Sequence, residues 1–331
     1  MADAVAEGVD TERDAYLRIH RWMCQAKALD DRMHMLVRQG RAPFVGSSRG
    51  HEGIQVASTA ALDQERDWLV PHYRGLANAL VLGLTPREWM LAVFAKVDDP
   101  LSAGRNIPGG CFSSRRLRIA SVSQVVSTWV PKAAGIAYAS KVRGDGAAVL
   151  CSFGDGGVSE GDWHEGVNFA ATHKLPVVFV CENNGYAISV PQRLQSGNPT
   201  LSERAAGYGM AGVTVDGTDV PACYAAAVEA VRRARAGEGP TLIEAKVRRI
   251  NSHTSEDNQA KYRPPAEIEE AALHDPLLRF EDWLGARGWL TAADAQAVRA
   301  ECDQDAAEAA DWAEKQPDPK AEDLAKNLYA D

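Results

Sequence analysis

The stretch from Ala147 to Tyr186, AAVLCSFGDGGVSEGDWHEGVNFAATHKLPVVFVCENNGY, narrows the folds open to this chain more than any other. It begins with a short apolar run, Ala147 to Phe153, which has the length and bounding turn of a buried strand. Gly154-Asp155-Gly156-Gly157 then turns the backbone. From Glu160 to His173, the residues Trp163, Val167, Phe169, Ala170 and Ala171 fall broadly on one helical face. Pro176 stops that helix, and Val177 to Cys181 reads as a second buried strand ending at Asn183-Asn184. A crossover of this length implies parallel strands. Asp155 and Asn184 are therefore expected at the carboxyl edge of one sheet, where open α/β sheets place ligands.

The pairing has a chemical meaning. Mg²⁺ takes hard oxygen ligands in near-octahedral geometry and completes its shell with phosphates and water. Asp155 offers a carboxylate, Asn184 an amide oxygen, and Tyr186 a backbone carbonyl just past the turn. Gly154, Gly156 and Gly157 leave room for a diphosphate to approach the backbone, and the N-terminus of the next helix favours an anion. Alone, a GDG triplet is a common turn. A GDG followed after 26 residues by NN, across a strand–helix–strand unit, is far more specific. It resembles the signature of thiamine diphosphate (ThDP) enzymes, in which the Asp and the second Asn hold the metal that anchors the cofactor.

At 331 residues the chain is long enough for one large or two modest cores. Its formal net charge is −9 and no Lys/Arg cluster dominates a segment, which argues against nucleic acid as a partner. The six cysteines are scattered without a CxxC pair, which fits a reducing compartment and argues against structural zinc or a disulfide framework. The acidic start MADAVAEGVD lacks an apolar or Arg-rich targeting pattern, and no apolar run is long enough to span a membrane, so the expected location is cytoplasmic.

Residues 1–10 read as a mobile tail and Thr11 to Gln39 as an amphipathic helix. A basic, glycine-bearing loop, RAPFVGSSRGHEG, leads to a second helix, IQVASTAALD. Trp68 to Val70 reads as a short strand, with PHYRG beginning the next helical stretch. Residues 98–128 are irregular, a length that usually signals function. Further elements are a helix from Trp129 to Val142, a strand in VTVDGTD, a helix from Val220 to Ala236 and a strand from Pro240 to Ile250. Asn251 to Pro265 is a polar loop, 266–315 is helical, and 316–331 reads as a docking tail. Residues 11–315 are expected to form a single α/β domain with helical additions at both ends.

Several stretches point to one family: ALD with PHYRG, VPKAAGIAYASK, GDG…NNGYAIS, VDGTDV, GPTLIEAKVRR and HTSEDNQAKYRP. Over roughly residues 11–315 the chain resembles the alpha subunit of the ThDP-dependent decarboxylating component of 2-oxo acid dehydrogenase complexes. The loop after residue 250 is most like that of the branched-chain (2-oxoisovalerate) members. The resemblance implies a ThDP-binding fold, a mostly parallel sheet with helices on both faces. It also implies Asp155, Asn184 and the Tyr186 carbonyl as Mg²⁺ ligands, and Tyr73 and Arg74 as the diphosphate grip. Gln124 and Val126 would line the cofactor, beside Gly154, Gly156 and Gly157. His253 would be the active-site histidine, on a loop ordered by Arg249, Asp257, Tyr262 and Arg263. Thr254 matches a position phosphorylated in some relatives.

The reaction so implied is oxidative decarboxylation of a branched-chain 2-oxo acid, with acyl transfer to the lipoyl group of a partner acyltransferase. The family's essential glutamate beside the cofactor's aminopyrimidine comes from a second domain type, so an α₂β₂ assembly with a separate beta subunit is expected. The sequence also departs from the family. Glu182 stands where branched-chain relatives often carry Arg, removing a possible phosphate contact, and Trp129 replaces a polar residue that helps bind K⁺ in some relatives. His51 is read as structural, and His72 lies near the site without a specific role. Pyruvate and acetoin remain alternative substrates. Two rival readings are a NAD-dependent Rossmann dehydrogenase and an inactive scaffolding homologue. A carboxylate inside the phosphate turn opposes the first, and the intact Asp155, Asn184, Arg74 and His253 oppose the second.

Overall fold

The computed structural model of this chain describes residues 11–107 and 109–326. The expected tail over 1–10 and the last five residues of the expected docking segment lie outside the described residues.

In chain order the strands are β1 (Trp68–Val70), β2 (Val149–Gly154), β3 (Val177–Asn183), a small hairpin of β4 (Tyr186–Ala187) and β5 (Val190–Pro191), β6 (Ala211–Asp216) and β7 (Thr241–Lys246). The main sheet has the order β1-β2-β3-β7-β6, and every neighbouring pair is parallel. The helices are α1 (Glu12–Arg38), α2 (Glu52–Ala60), α3 (Leu76–Val81), α4 (Pro86–Val93), α5 (Trp129–Arg143), α6 (Gly161–Thr172), α7 (Arg204–Gly207), α8 (Val220–Arg235), α9 (Pro265–Leu273), α10 (Pro276–Gly285) and α11 (Ala292–Ala313).

The apolar runs of the central strands are continuous because both faces are covered. Successive side chains alternate between two cores. Cys151, Phe153, Phe179 and Cys181 point into a cluster with Trp129, Trp163 and Val167 of α5 and α6. Leu150, Val178 and Val180 point into a larger cluster with α1, α2 and α8. Burying a side chain such as Phe153 or Phe179 contributes roughly 2–3 kcal/mol. Thr11 caps α1 by accepting from the Asp14 amide, and Tyr16, Ile19, Met23, Ala26, Leu29, Met33 and Leu36 form its buried stripe. Helix α11 lies along α1, so the last long helix is fastened to the first. Residues of the tail fold back on the same chain: Val97 N donates to Pro317 O at 3.1 Å, and Lys96 pairs with Asp318 at 2.7 Å.

Two local expectations are corrected. PHYRG does not begin a helix; it forms a turn closed by Gly75 N to His72 O at 2.8 Å, and α3 starts at Leu76. The strand expected over Pro240 to Ile250 is confined to Thr241–Lys246, because its neighbour β3 ends at Asn183 and offers no further edge to pair with. The chain then leaves the sheet and carries Arg249 and His253 over the carboxyl edge. All six cysteines are buried and free. Among the described residues, no helix is long and apolar enough to cross a membrane.

Candidate functional site

Every strand that matters to the site ends on the same edge. Strand β2 runs straight into Asp155, β3 into Asn184, and β1 into His72, Tyr73 and Arg74. A cavity of about 180 Å³ opens there. Its walls include His72, Tyr73, Arg74, Val126, Gly154, Asp155, Gly156, Gly157, Asn184, Tyr186 and His253. These include all but one of the residues expected to bind metal or cofactor or to act in catalysis, from five separate segments. Gln124 is the exception. Its amide donates to Gly110 O at 3.3 Å and it is absent from the cavity wall, which Val126 of the same segment joins; Ser127 beside it takes a left-handed conformation (φ 67°). Ser127 pays for its conformation by donating through Oγ to Gly157 O at 2.9 Å.

The Asn pair divides its labour by alternation. Asn183 donates to Glu244 at 2.6 Å inside the sheet, whereas Asn184 faces the cavity. Asn184 Oδ1 accepts from Tyr186 N at 3.1 Å, which fixes the turn. Asp155 is buried, and its Oδ2 accepts from Gln195 Nε2 at 3.2 Å. Its Oδ1 is buried with no hydrogen-bond partner. Burial pushes the Asp155 carboxyl above the usual range, against the pull of Gln195. A buried carboxylate oxygen with no protein donor, beside an amide oxygen and a backbone carbonyl, is a donor set suited to a hard divalent cation.

The opposite wall is positive. Arg74 is buried, donates to Ser47 O at 2.8 Å and reaches His253 Nδ1 at 2.7 Å. Arg249, also buried, donates to Ile188 O at 3.1 Å and to Tyr262 Oη at 2.6 Å. None of the described ion pairs supplies either guanidinium with a carboxylate. Arg74 lines the cavity, and a buried guanidinium with no carboxylate partner favours an anion there. His253 is held neutral: burial, then Arg74 and Arg249, bring its pKa down to about 3. Burial first, then Arg74, lowers His72 well below its ordinary value.

The turn glycines are required by protein packing as well as by any ligand. A Cβ on Gly156 would stand 2.7 Å from Ala187 Cβ, and one on Gly157 would stand 2.6 Å from Ser127 Oγ. The polar loop after Ile250 is bound down rather than solvated. His253 N and Tyr262 Oη both donate to Asp257 Oδ2, at 2.8 and 2.5 Å, and Arg263 Nη1 donates to Arg249 O at 2.8 Å.

Sequence reasoning missed several participants. Gln195 holds Asp155, Glu160 and Ile188 join the cavity wall, and His51 Nε2 lies 3.4 Å from Asn184 Nδ2. Glu182 does not face the phosphate side at all; it is buried against His51 and Gln55. A carboxylate in a strand covered on both faces must find a partner, which is a signal for Glu182 but does not name His51.

The fold and cavity define an α/β protein with a cleft at the carboxyl edge of a parallel sheet, walled by a buried arginine and a buried aspartate. Residues 20–322 match the family model described as Dehydrogenase E1 component. Over 320 residues the chain is 44% identical to the 2-oxoisovalerate dehydrogenase subunit alpha of Bacillus subtilis, covering 97% of this chain and 96% of that one. It is 36% identical to the human mitochondrial 2-oxoisovalerate dehydrogenase subunit alpha, over 96% of this chain and 71% of the relative. It is 35% identical to the 3-methyl-2-oxobutanoate dehydrogenase subunit alpha of Mycobacterium tuberculosis, over 95% and 82%. The chain belongs to the Dehydrogenase E1 component family, an enzyme family whose membership implies thiamine diphosphate as cofactor. The relatives' designation as alpha subunits implies a beta-subunit partner.

Proposed function

We propose that this chain is the alpha subunit of an α₂β₂ decarboxylase acting on branched-chain 2-oxo acids and passing the acyl group to the lipoyl arm of a partner acyltransferase. The observation that carries the reading is that Asp155, with its unpaired buried oxygen, and Arg74, a buried guanidinium without a carboxylate partner, line one cleft. The names of relatives up to 44% identical over nearly the whole chain support the branched-chain class.

In this reading Asp155, Asn184 and the Tyr186 carbonyl hold Mg²⁺, while Tyr73 and Arg74 grip the diphosphate of the cofactor. Bound thiamine diphosphate supplies the carbon nucleophile and electron sink for loss of carbon dioxide from a 2-oxo acid. The protein's part is orientation and proton placement. Arg74 donates to His253 Nδ1, so the neutral ring carries its proton on Nε2. His253 is thereby a hydrogen-bond donor in the cleft at neutral pH, not a second cation. Val126 and Ile188 supply apolar wall that limits water.

Co-expression with the beta subunit, followed by decarboxylation assays with 2-oxoisovalerate, pyruvate and acetoin in the presence of thiamine diphosphate and Mg²⁺, tests the reading. The branched-chain acid is expected to have the highest kcat/KM. Preference for pyruvate or acetoin overturns the substrate class, and full activity of the isolated chain overturns the assembly.

A further inference from the structure

The metal side of the cleft rests on a buried row of side chains that the proposed function leaves without a task. His51 and Glu182 are fully shielded from solvent. Glu182 Oε2 lies 2.7 Å from His51 Nδ1 and accepts a second hydrogen bond from Gln55 Nε2 at 2.8 Å. The other ring nitrogen, His51 Nε2, lies 3.4 Å from Asn184 Nδ2. A carboxylate beside Nδ1 draws the ring proton to that side and leaves Nε2 as an acceptor. The far end of the Asn184 amide is set independently: its Oδ1 accepts from Tyr186 N at 3.1 Å. Both ends of the amide are therefore specified in the same sense, nitrogen toward His51 and oxygen toward the Tyr186 amide. Turning the amide over would face donor with donor at Tyr186 and acceptor with acceptor at His51. Gln55 Nε2 also lies 3.2 Å from Arg74 O, so the same row touches the backbone of the phosphate side.

We propose that His51, held as its Nδ1–H tautomer by Glu182, is a positioning residue that decides which end of the Asn184 amide is offered to a divalent cation. The inference rests on the reading of Asn184 as a metal ligand. An amide oxygen coordinates a hard cation and an amide nitrogen does not, so the tautomer of a ring that touches no ligand sets the quality of the metal site. It also gives the buried Glu182 carboxylate a task.

The test measures the Mg²⁺ concentration needed for half-maximal thiamine diphosphate binding, read by calorimetry on the assembled complex without substrate. In Glu182→Leu the acceptor beside Nδ1 is lost, so nothing holds the ring proton there and Nε2 can carry it against the Asn184 amide. The half-saturating Mg²⁺ concentration is expected to rise about tenfold or more. Glu182→Gln keeps an oxygen where Gln55 Nε2 donates, so it retains the acceptor for Nδ1–H and is expected to stay near wild type. His51→Gln retains an acceptor and is expected to stay nearer to wild type than His51→Phe. The contrast between Glu182→Leu and Glu182→Gln decides the matter if His51→Phe does not assemble. An unchanged Mg²⁺ requirement in Glu182→Leu, or equal losses in His51→Gln and His51→Phe, overturns the proposal. Wild-type binding that needs no Mg²⁺ overturns the metal reading instead, and that control is run first.

Discussion

Arg74 Nη2 donates to His253 Nδ1 over 2.7 Å, although 179 positions separate the two residues in the chain. The contact joins the turn after β1 to the loop after β7 and sets the state of the histidine on which the cleft depends. In the unfolded chain His253 takes up a proton near pH 6.5, whereas burial, Arg74 and Arg249 bring it to about 3 in the folded protein. Between those values the unfolded state binds more protons, so stability falls as the pH drops through that window. The thermal midpoint of the cofactor-free protein should therefore decline from pH 7 to pH 5, and decline less in His253→Gln. Equal slopes in the two proteins would contradict this account.

Asp155 should show opposite signs in stability and binding. Burial raises its pKa and leaves Oδ1 unpaired, so the ionised carboxylate is a burden on the cofactor-free fold at neutral pH. Asp155→Asn is expected to stabilise that form by about 1 kcal/mol while abolishing Mg²⁺-dependent thiamine diphosphate binding. Denaturant unfolding and calorimetry check the two halves. A destabilised variant that still binds would remove Asp155 from the metal site.

The turn glycines separate packing from ligand contact. Gly157→Ala would press its Cβ to 2.6 Å from Ser127 Oγ, beside a residue already at φ 67°, and is expected to cost about 1–3 kcal/mol. Gly161→Ala, with nothing within 4 Å of the new Cβ, is the control and should leave stability and binding near wild type. Equal effects from the two would show that the backbone turn tolerates side chains.

Tyr262 Oη sits between Arg249 Nη2, at 2.6 Å, and Asp257 Oδ2, at 2.5 Å. Tyr262→Phe removes both bonds and should loosen the loop by about 1.5 kcal/mol, roughly a tenfold gain in local opening. Limited proteolysis within 251–263 should accelerate accordingly and slow again on addition of cofactor and metal. An unchanged cleavage rate would show that the loop is held elsewhere, by Arg263 or Gln259.

Much of the site was legible because its chemistry is carried by local motifs. Asp155 and Asn184 each follow a strand that the apolar pattern reveals, and the crossover between them forces parallel pairing, so their shared edge follows without coordinates. Tyr73, Arg74 and His253 rested on resemblance, and the geometry then placed them in the same cavity wall. Gln124 lies off the cavity wall with its amide on Gly110 O, a loop contact that no sequence pattern announces. His51 and Glu182 were both in view, one taken as structural and the other as a lost phosphate contact. Their relation, across 131 positions, is a matter of packing alone.

The sequence by itself determined the strand–turn–helix–strand unit, because periodicity, a proline and a run of glycines act over a few neighbouring residues. It likewise determined which oxygens stand at the carboxyl edge, since that follows from chain direction. Only the tertiary structure decided which distant side chains complete the site: Arg74 on His253, Gln195 on Asp155, Glu182 on His51. Those pairings depend on how the loops fold over the sheet to satisfy buried polar groups, and no local pattern encodes a hydrogen bond between segments 40 to 179 positions apart.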